Sequence, residues 1–319
     1  MTEQRTFADA ILSNKRRTTR REQFLFEMDQ VIPWATVEAL VAPHYPKAGR
    51  GRPPLPMGTM LRIYFLQQWF NLSDPQAEDM LYDSESMRRF ARIDLLHDTG
   101  PDETKIGKFR HLLEAHQLTA RMFDAVKALL EARKLLLKAG TIVDATIIGA
   151  PSSTKHATKT RDPERRQTKK GNQWYFGMKG HVGTDRRGVI HTITTTDAAT
   201  TDAATADITQ LPHLLHGQET TLHGDKAYYK AEDTLQWELS GGRYLVNKSG
   251  KRTDCWDAIH RTRSRVRAMV EHPFHTIKRL WGFTTVRYRG LAKNTARVYA
   301  LCPLANLFRL RHRLRPQGT

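Results

Sequence analysis

The chain has 319 residues, 39% hydrophobic and 8% aromatic, which predicts about two folded domains rather than a disordered tract. Two cysteines, Cys255 and Cys302, exclude a disulfide framework or a four-cysteine zinc site; with no apolar run near the roughly 20 residues of a membrane span and no secretory signal in the first residues, a cytoplasmic protein is expected. The formal charge is +18, and from Arg243 onward 18 Lys and Arg face three acids, Asp254, Asp257 and Glu271, which fits a nucleic-acid partner better than a solubilising face or a membrane surface.

Residues 1–135 read as helical. MGTMLRIYFLQQWF at 57–70 has the pattern of a buried helix. Ser73 and Pro75 begin another, a cap residue followed by proline in the first turn, and Asp102 caps ETKIGKFRHLLEAH. A last one, 119–137, places Met122, Phe123, Val126, Leu129 and Leu130 on one face. Two basic features precede these helices: Lys15–Arg21, and Gly49-Arg50-Gly51-Arg52-Pro53-Pro54. Arg50 and Arg52 lie in an extended segment of the kind that enters a narrow A·T-rich minor groove; the alternative is a Pro/Gly linker that carries arginine.

The character changes near Leu137. Residues 140–148 (GTIVDATII) are rich in β-branched side chains and read as a strand. A polar loop over 151–173 follows, then strands at 174–183 and 189–196 around a turn at Asp185–Gly188. A helix is expected over 201–216, a strand at 220–224, a helix at 230–239 and a strand over Arg243–Asn247. Helices at about 255–281 and 293–313, with a short strand at 284–288 between them, complete an α/β layered domain. Within it Trp174, Tyr175 and Phe176 read as core and rim aromatics. Lys179 and His181 are weighed as neighbours of DNA against packing in the core.

No phosphate loop, dinucleotide fingerprint, CxxC, HExxH or GxSxG occurs. His213, His216 and His223 do not share a helical face and read as surface or capping residues. Carboxylates remain. Asp144 sits inside an apolar strand, where an ion must be paired or bind a metal. Asp225 ends a second strand just after Gly224, and α/β sheets gather functional groups at such ends. Glu271 is the one acid of a basic helix, with Arg267 and Lys278 on its face. Each has a structural alternative: a buried salt bridge, a turn cap, and an i,i+4 ion pair with Arg267 worth about 0.3–0.5 kcal/mol. Together, on a basic chain, they form the trio needed to hold two Mg²⁺ or Mn²⁺ ions for phosphodiester chemistry, with one aspartate bridging the ions.

IVDATII, NQWYFGMKGH, HGDKAY, VRAMVEHPFHTIKRLWGF and VRYRGLAKNTA resemble DDE transposases of the bacterial insertion-sequence-5 family. RREQFLFEMDQVIPW, RPPLPMGTMLRIYFLQQW and PDETKIGKFRHLLE are similar to its N-terminal part, so the likeness spans nearly the whole chain. It implies a ribonuclease-H-like mixed-sheet catalytic domain at 137–319, preceded by a mostly helical DNA-binding and assembly domain at 1–136. It also implies cutting and joining of double-stranded DNA at the element's terminal inverted repeats, by a dimer or larger assembly. Asp144, Asp225 and Glu271 match the catalytic, metal-holding acids, and Arg267 and Lys278 match the basic positions expected to meet phosphates. Asp144 to Asp225 spans 81 positions and Asp225 to Glu271 spans 46, and the second gap leaves no room for a large inserted β-domain. Two positions depart. Ser264 stands where relatives carry a tyrosine that holds an extruded base, leaving Trp174 and Trp281 as candidate stackers. Pro303 falls inside a helix and predicts a kink or a weakened C-terminus; Pro273, part of the family block, predicts a kink beside the active site.

Overall fold

The computed structural model describes residues 17–49, 53–96, 99–150, 166–170, 173–197, 207–246 and 254–315. Among them seven helices precede the first strand: α1 (Arg20–Val31), α2 (Trp34–Val41), α3 (Met57–Trp69), α4 (Asp74–Asp83), α5 (Glu85–Ala91), α6 (Glu103–Ala115) and α7 (Leu118–Ala132). Several start where the sequence supplies an acceptor for the unpaired first-turn amides. Thr19 and Glu22 form a capping box at α1, Ser73 Oγ accepts from Gln76 N at 3.3 Å, and Asp102 Oδ1 accepts from Lys105 N at 2.8 Å. Helix α3 is buried from Thr59 to Trp69 and lies at the centre of this group. Arg62 tolerates that place because its Nη1 is 2.5 Å from Asp29 Oδ1 and its guanidinium lies 3.9 Å from the Trp34 ring centre.

The sheet contains β1 (Gly140–Gly149), β2 (Arg166–Lys170), β3 (Gln173–Thr184), β4 (Ile190–Asp197), β5 (Thr221–His223) and β6 (Arg243–Tyr244). Strand β3 runs antiparallel to β1, β2 and β4, while β5 is parallel to β1 and β6 is parallel to β5. Antiparallel strands on one side and parallel strands on the other make the mixed, ribonuclease-H-like sheet that was expected. Strand β2 falls within the segment read as loop. RQTKK has no apolar alternation, so only its partner β3 reveals the pairing. Of the helix expected over 201–216, residues 201–206 lie outside the described residues, and the described part is helical at 207–209 and again over α8 (Leu211–Leu214). The strand expected at 284–288 is a single bridge, with Gly149 N donating to Thr284 O and Val286 N donating to Gly149 O.

Alternation along β1 divides two cores. Ile142 and Ile148 join the large cluster shared with the N-terminal helices, whereas Val143 packs with Leu211, Leu214, Leu222, Tyr228, Tyr244 and Val246 beneath the sheet. The N-terminal helices and the sheet therefore share one hydrophobic core. Helix α9 (Ala231–Leu239) lies between β5 and β6, and α10 (Asp254–Arg267) starts the return toward β1. Helix α11 (Glu271–His275) follows, and α12 (Leu291–Leu314) joins the two parts. Asn306 exchanges two hydrogen bonds with the backbone of Ile190, Tyr299 Oη donates to Ile193 O, and Arg311 Nε reaches Glu27 Oε2 at 2.8 Å. Pro303 does not break α12. Interior proline costs about 3 kcal/mol, and burial of Leu304, Leu307 and Leu310 with these bonds offsets it.

Candidate active site

Asp144 stands midway along β1, and Asp225 follows β5 by two residues. The last pair of the parallel β1–β5 ladder is Ile142 with His223. Asp144 and Asp225 each lie two positions beyond that pair, past the end of the ladder, and the charges of both act on the buried Tyr228 hydroxyl. Gly224 permits the approach: a β-carbon there would meet Val143 Cγ2 at 3.1 Å and Tyr228 Cβ at 3.2 Å. Asp225 then turns the chain, its Oδ1 accepting from Ala227 N at 2.9 Å to start a 3₁₀ turn over Lys226–Tyr228.

Glu271 arrives on a helical stretch that changes pitch around it. Helix α10 gives way to a 3₁₀ turn at Ala268–Val270, then α11, then a π turn at Thr276–Leu280. Pro273 is the cause, since it has no N–H to offer the Met269 carbonyl four residues earlier. That carbonyl lodges against the β3–β4 turn. A β-carbon on Gly188, whose φ is +73°, would lie 2.5 Å from Met269 O, so only glycine fits. The kink expected at Pro273 takes this form. Val270, Pro273 and Ile277 face inward, while Glu271 is exposed.

Arg267 links strand and helix. Its Nη1 is 3.8 Å from Asp144 Oδ2, and its Nη2 is 3.5 Å from Glu271 Oε1. The ion pair read as the structural alternative for Glu271 is therefore present, and the same arginine also serves Asp144. Lys278, expected at a phosphate, donates to Ile147 O at 2.6 Å and ties the helix to β1. Among the described residues no three His, Cys, Asp or Glu are gathered closely enough to hold a metal ion. Asp144 and Asp225 both lie beyond the last β1–β5 pair, and Arg267 stands between Asp144 and Glu271. The oxygen donors nevertheless suit a hard divalent cation, which commonly takes one or two carboxylates and fills its other positions with water and phosphate oxygens.

Burial decides the places of Lys179, His181, His223 and Trp281. Lys179 is no DNA contact: it is 3% exposed, and its ammonium is 2.8 Å from Asp207 Oδ1 beneath the sheet. His181 lies beside it with Nε2 3.0 Å from Thr196 Oγ1, and burial, then Lys179, pushes its pKa down to about 4. His223 is buried rather than capping, both ring nitrogens lack partners, and burial followed by Arg186 and Arg263 lowers it to about 4. Trp281 is buried with its ring centre 6.1 Å from that of Phe308 and cannot serve as a base stacker. The Trp174 and Tyr175 side chains, and Arg50 and Arg52, lie outside the described residues. Ser264 is exposed on α10.

The sequence reading missed Asp207 and Tyr228. The Tyr228 hydroxyl is buried without a hydrogen-bond partner, and burial, then Asp207, Asp144 and Asp225, holds its pKa well above the usual value. The HGDKAY block contained this tyrosine; nothing in the Thr/Ala-rich run before Asp207 marked that acid.

Two families match the chain. The one described as Transposase DDE domain covers residues 136–307, and the one described as Transposase domain (DUF772) covers residues 13–112. No solved structure matches.

Proposed function

The chain belongs to the DDE transposases, and from that membership we propose that it acts on the terminal inverted repeats of its own insertion sequence, an element of the insertion-sequence-5 group. It cleaves DNA there and joins the ends to a target with Mg²⁺ or Mn²⁺. The observation that supports this reading is that Asp144 on β1 and Asp225 just after the neighbouring parallel strand β5 both act on Tyr228, while Arg267 reaches both Asp144 and Glu271.

Asp144 would be shared between two cations, with Asp225 and Glu271 each completing one site. Bound divalent ions supply a nucleophilic oxygen at neutral pH and stabilise the oxygen that leaves phosphorus. Arg267 and Lys278 hold phosphates near the scissile bond. Exposed Arg261, Arg265 and Arg279 extend the basic surface along the same helical stretch. Residues 1–136, with Arg50 and Arg52 in the minor groove, recognise the ends and assemble at least a dimer, because two ends are joined. No helix among the described residues is long and apolar enough to cross a membrane.

The test uses full-length protein and a labelled duplex carrying the element's ends, with Mg²⁺, Mn²⁺, Ca²⁺ or EDTA. Nicking at the element boundary with Mg²⁺ or Mn²⁺, lost in Asp144→Ala, Asp225→Ala and Glu271→Ala while binding survives, is the expected result. Tight, salt-sensitive binding without cleavage under any metal would instead mark a DNA-binding derivative that no longer cuts.

A further inference from the structure

Arg267 stands between two of the acids assigned to metal binding. Its guanidinium faces Asp144 on the strand at 3.8 Å and Glu271 on the helix at 3.5 Å. Both contacts are long for ion pairs, and the side chains of Arg267 and Glu271 are 27% and 62% exposed, so water already reaches the group. We propose that Arg267 is an internal competitor for the divalent cation: without DNA it neutralises Asp144 and Glu271, and a DNA phosphate draws it away, so that the metal site is completed only on DNA. The proposal rests on the catalytic reading of the three acids.

A guanidinium bonds phosphate oxygens in bidentate fashion at least as well as carboxylates, so the exchange keeps its hydrogen bonding intact. Arg261 and Arg265, exposed and one helical turn apart on α10, make the helix that ends at Arg267 attractive to a DNA backbone. While the arginine stays, a hydrated divalent ion meets both electrostatic repulsion and a carboxylate pair that is already neutralised. Linkage then requires DNA and metal to raise each other's affinity by the same factor.

The test measures Mn²⁺ binding to the full chain by electron paramagnetic resonance, with and without an unlabelled random-sequence duplex. Wild type should bind Mn²⁺ about tenfold tighter with duplex than without, a factor in the usual range of coupling between sites. Arg267→Gln should gain about that factor without duplex and little more with it, while Arg267→Lys, which keeps a cation, should follow wild type. Asp144→Asn should lose binding in both settings. If Arg267→Gln binds Mn²⁺ no tighter than wild type while Asp144→Asn still loses it, the competitor role is wrong and the site stands. An arginine that only braces the helix would make both Arg267 variants bind more weakly, which also overturns the proposal. If Asp144→Asn binds normally, the site itself is misplaced and the proposal goes with it.

Discussion

Asp144 and Asp225 are set by strands, whereas Glu271 and Arg267 ride on a helix that changes pitch immediately before and after α11. Strand β1 is fixed by an antiparallel ladder to β3 from Ile142 to Gly149 and by the parallel ladder to β5, so its aspartate cannot shift without breaking backbone pairing. The helical stretch is held from its sides instead, by the Lys278 bond to Ile147 O and by the fit of Met269 O against Gly188. Two acids thus come with the fold, while the third depends on local helix geometry and on where one arginine points. Rigid donors combined with an adjustable one suit a centre completed only when DNA is present.

The largest expected effect falls on the rigid half. Asp144→Asn and Asp225→Asn should each lower the cleavage rate by on the order of a thousandfold, as losses of directly stabilising groups do, with melting temperature little changed. Lys179→Met probes the sheet that carries them. It leaves Asp207 without its lysine beneath the strands, which should cost about 3–5 kcal/mol in calorimetric unfolding; Lys179→Met with Asp207→Leu should recover most of that. Gly188→Ala probes the adjustable half. Its φ of +73° and the crowding of Met269 O should cost about 1–3 kcal/mol. Because it displaces the turn before Glu271, cleavage should fall by more than the Tm shift accounts for.

A pH dependence of stability needs no substitution at all. His181 and His191 are buried, with pKa values pushed down to about 4 and about 3. Below an unfolded value of about 6.5 the denatured chain takes up protons that these native imidazoles refuse, so stability falls with falling pH and levels off near the native values. Melts recorded from pH 7 to 4, with imidazole NMR titrations, should show this slope and late titration of both rings.

The strands bearing Asp144 and Asp225 were legible because β-branched runs and a terminal Gly-Asp mark them. Glu271 was legible as the one acid on a basic face and by family likeness. The burial of Lys179 was not: in WYFGMKGHV, glycines interrupt the alternation that would show which face is covered, and Asp207 is distant in sequence. The charge excess was read correctly as a sum but not in its use. Arg297 is 3% exposed with Nη2 2.7 Å from Asn71 Oδ1, Arg309 donates to Arg187 O, and Arg311 and Arg315 both hold Glu27. Several tail cations thus join the C-terminal helix to the rest of the molecule, so the net charge overstates the surface left for DNA. Periodicity cannot separate these uses, because each is decided by a partner far away in the chain.

The central claim is that Asp144, Asp225 and Glu271 converge on divalent ions when DNA is bound. The most direct measurement is anomalous scattering from crystals of the full chain with Mn²⁺ and a duplex carrying the element's end. Peaks within roughly 2.0–2.2 Å of oxygens from all three carboxylates, with Arg267 moved onto a phosphate, are the predicted result. Manganese bound elsewhere, or a complex in which Arg267 still lies between Asp144 and Glu271, would contradict it.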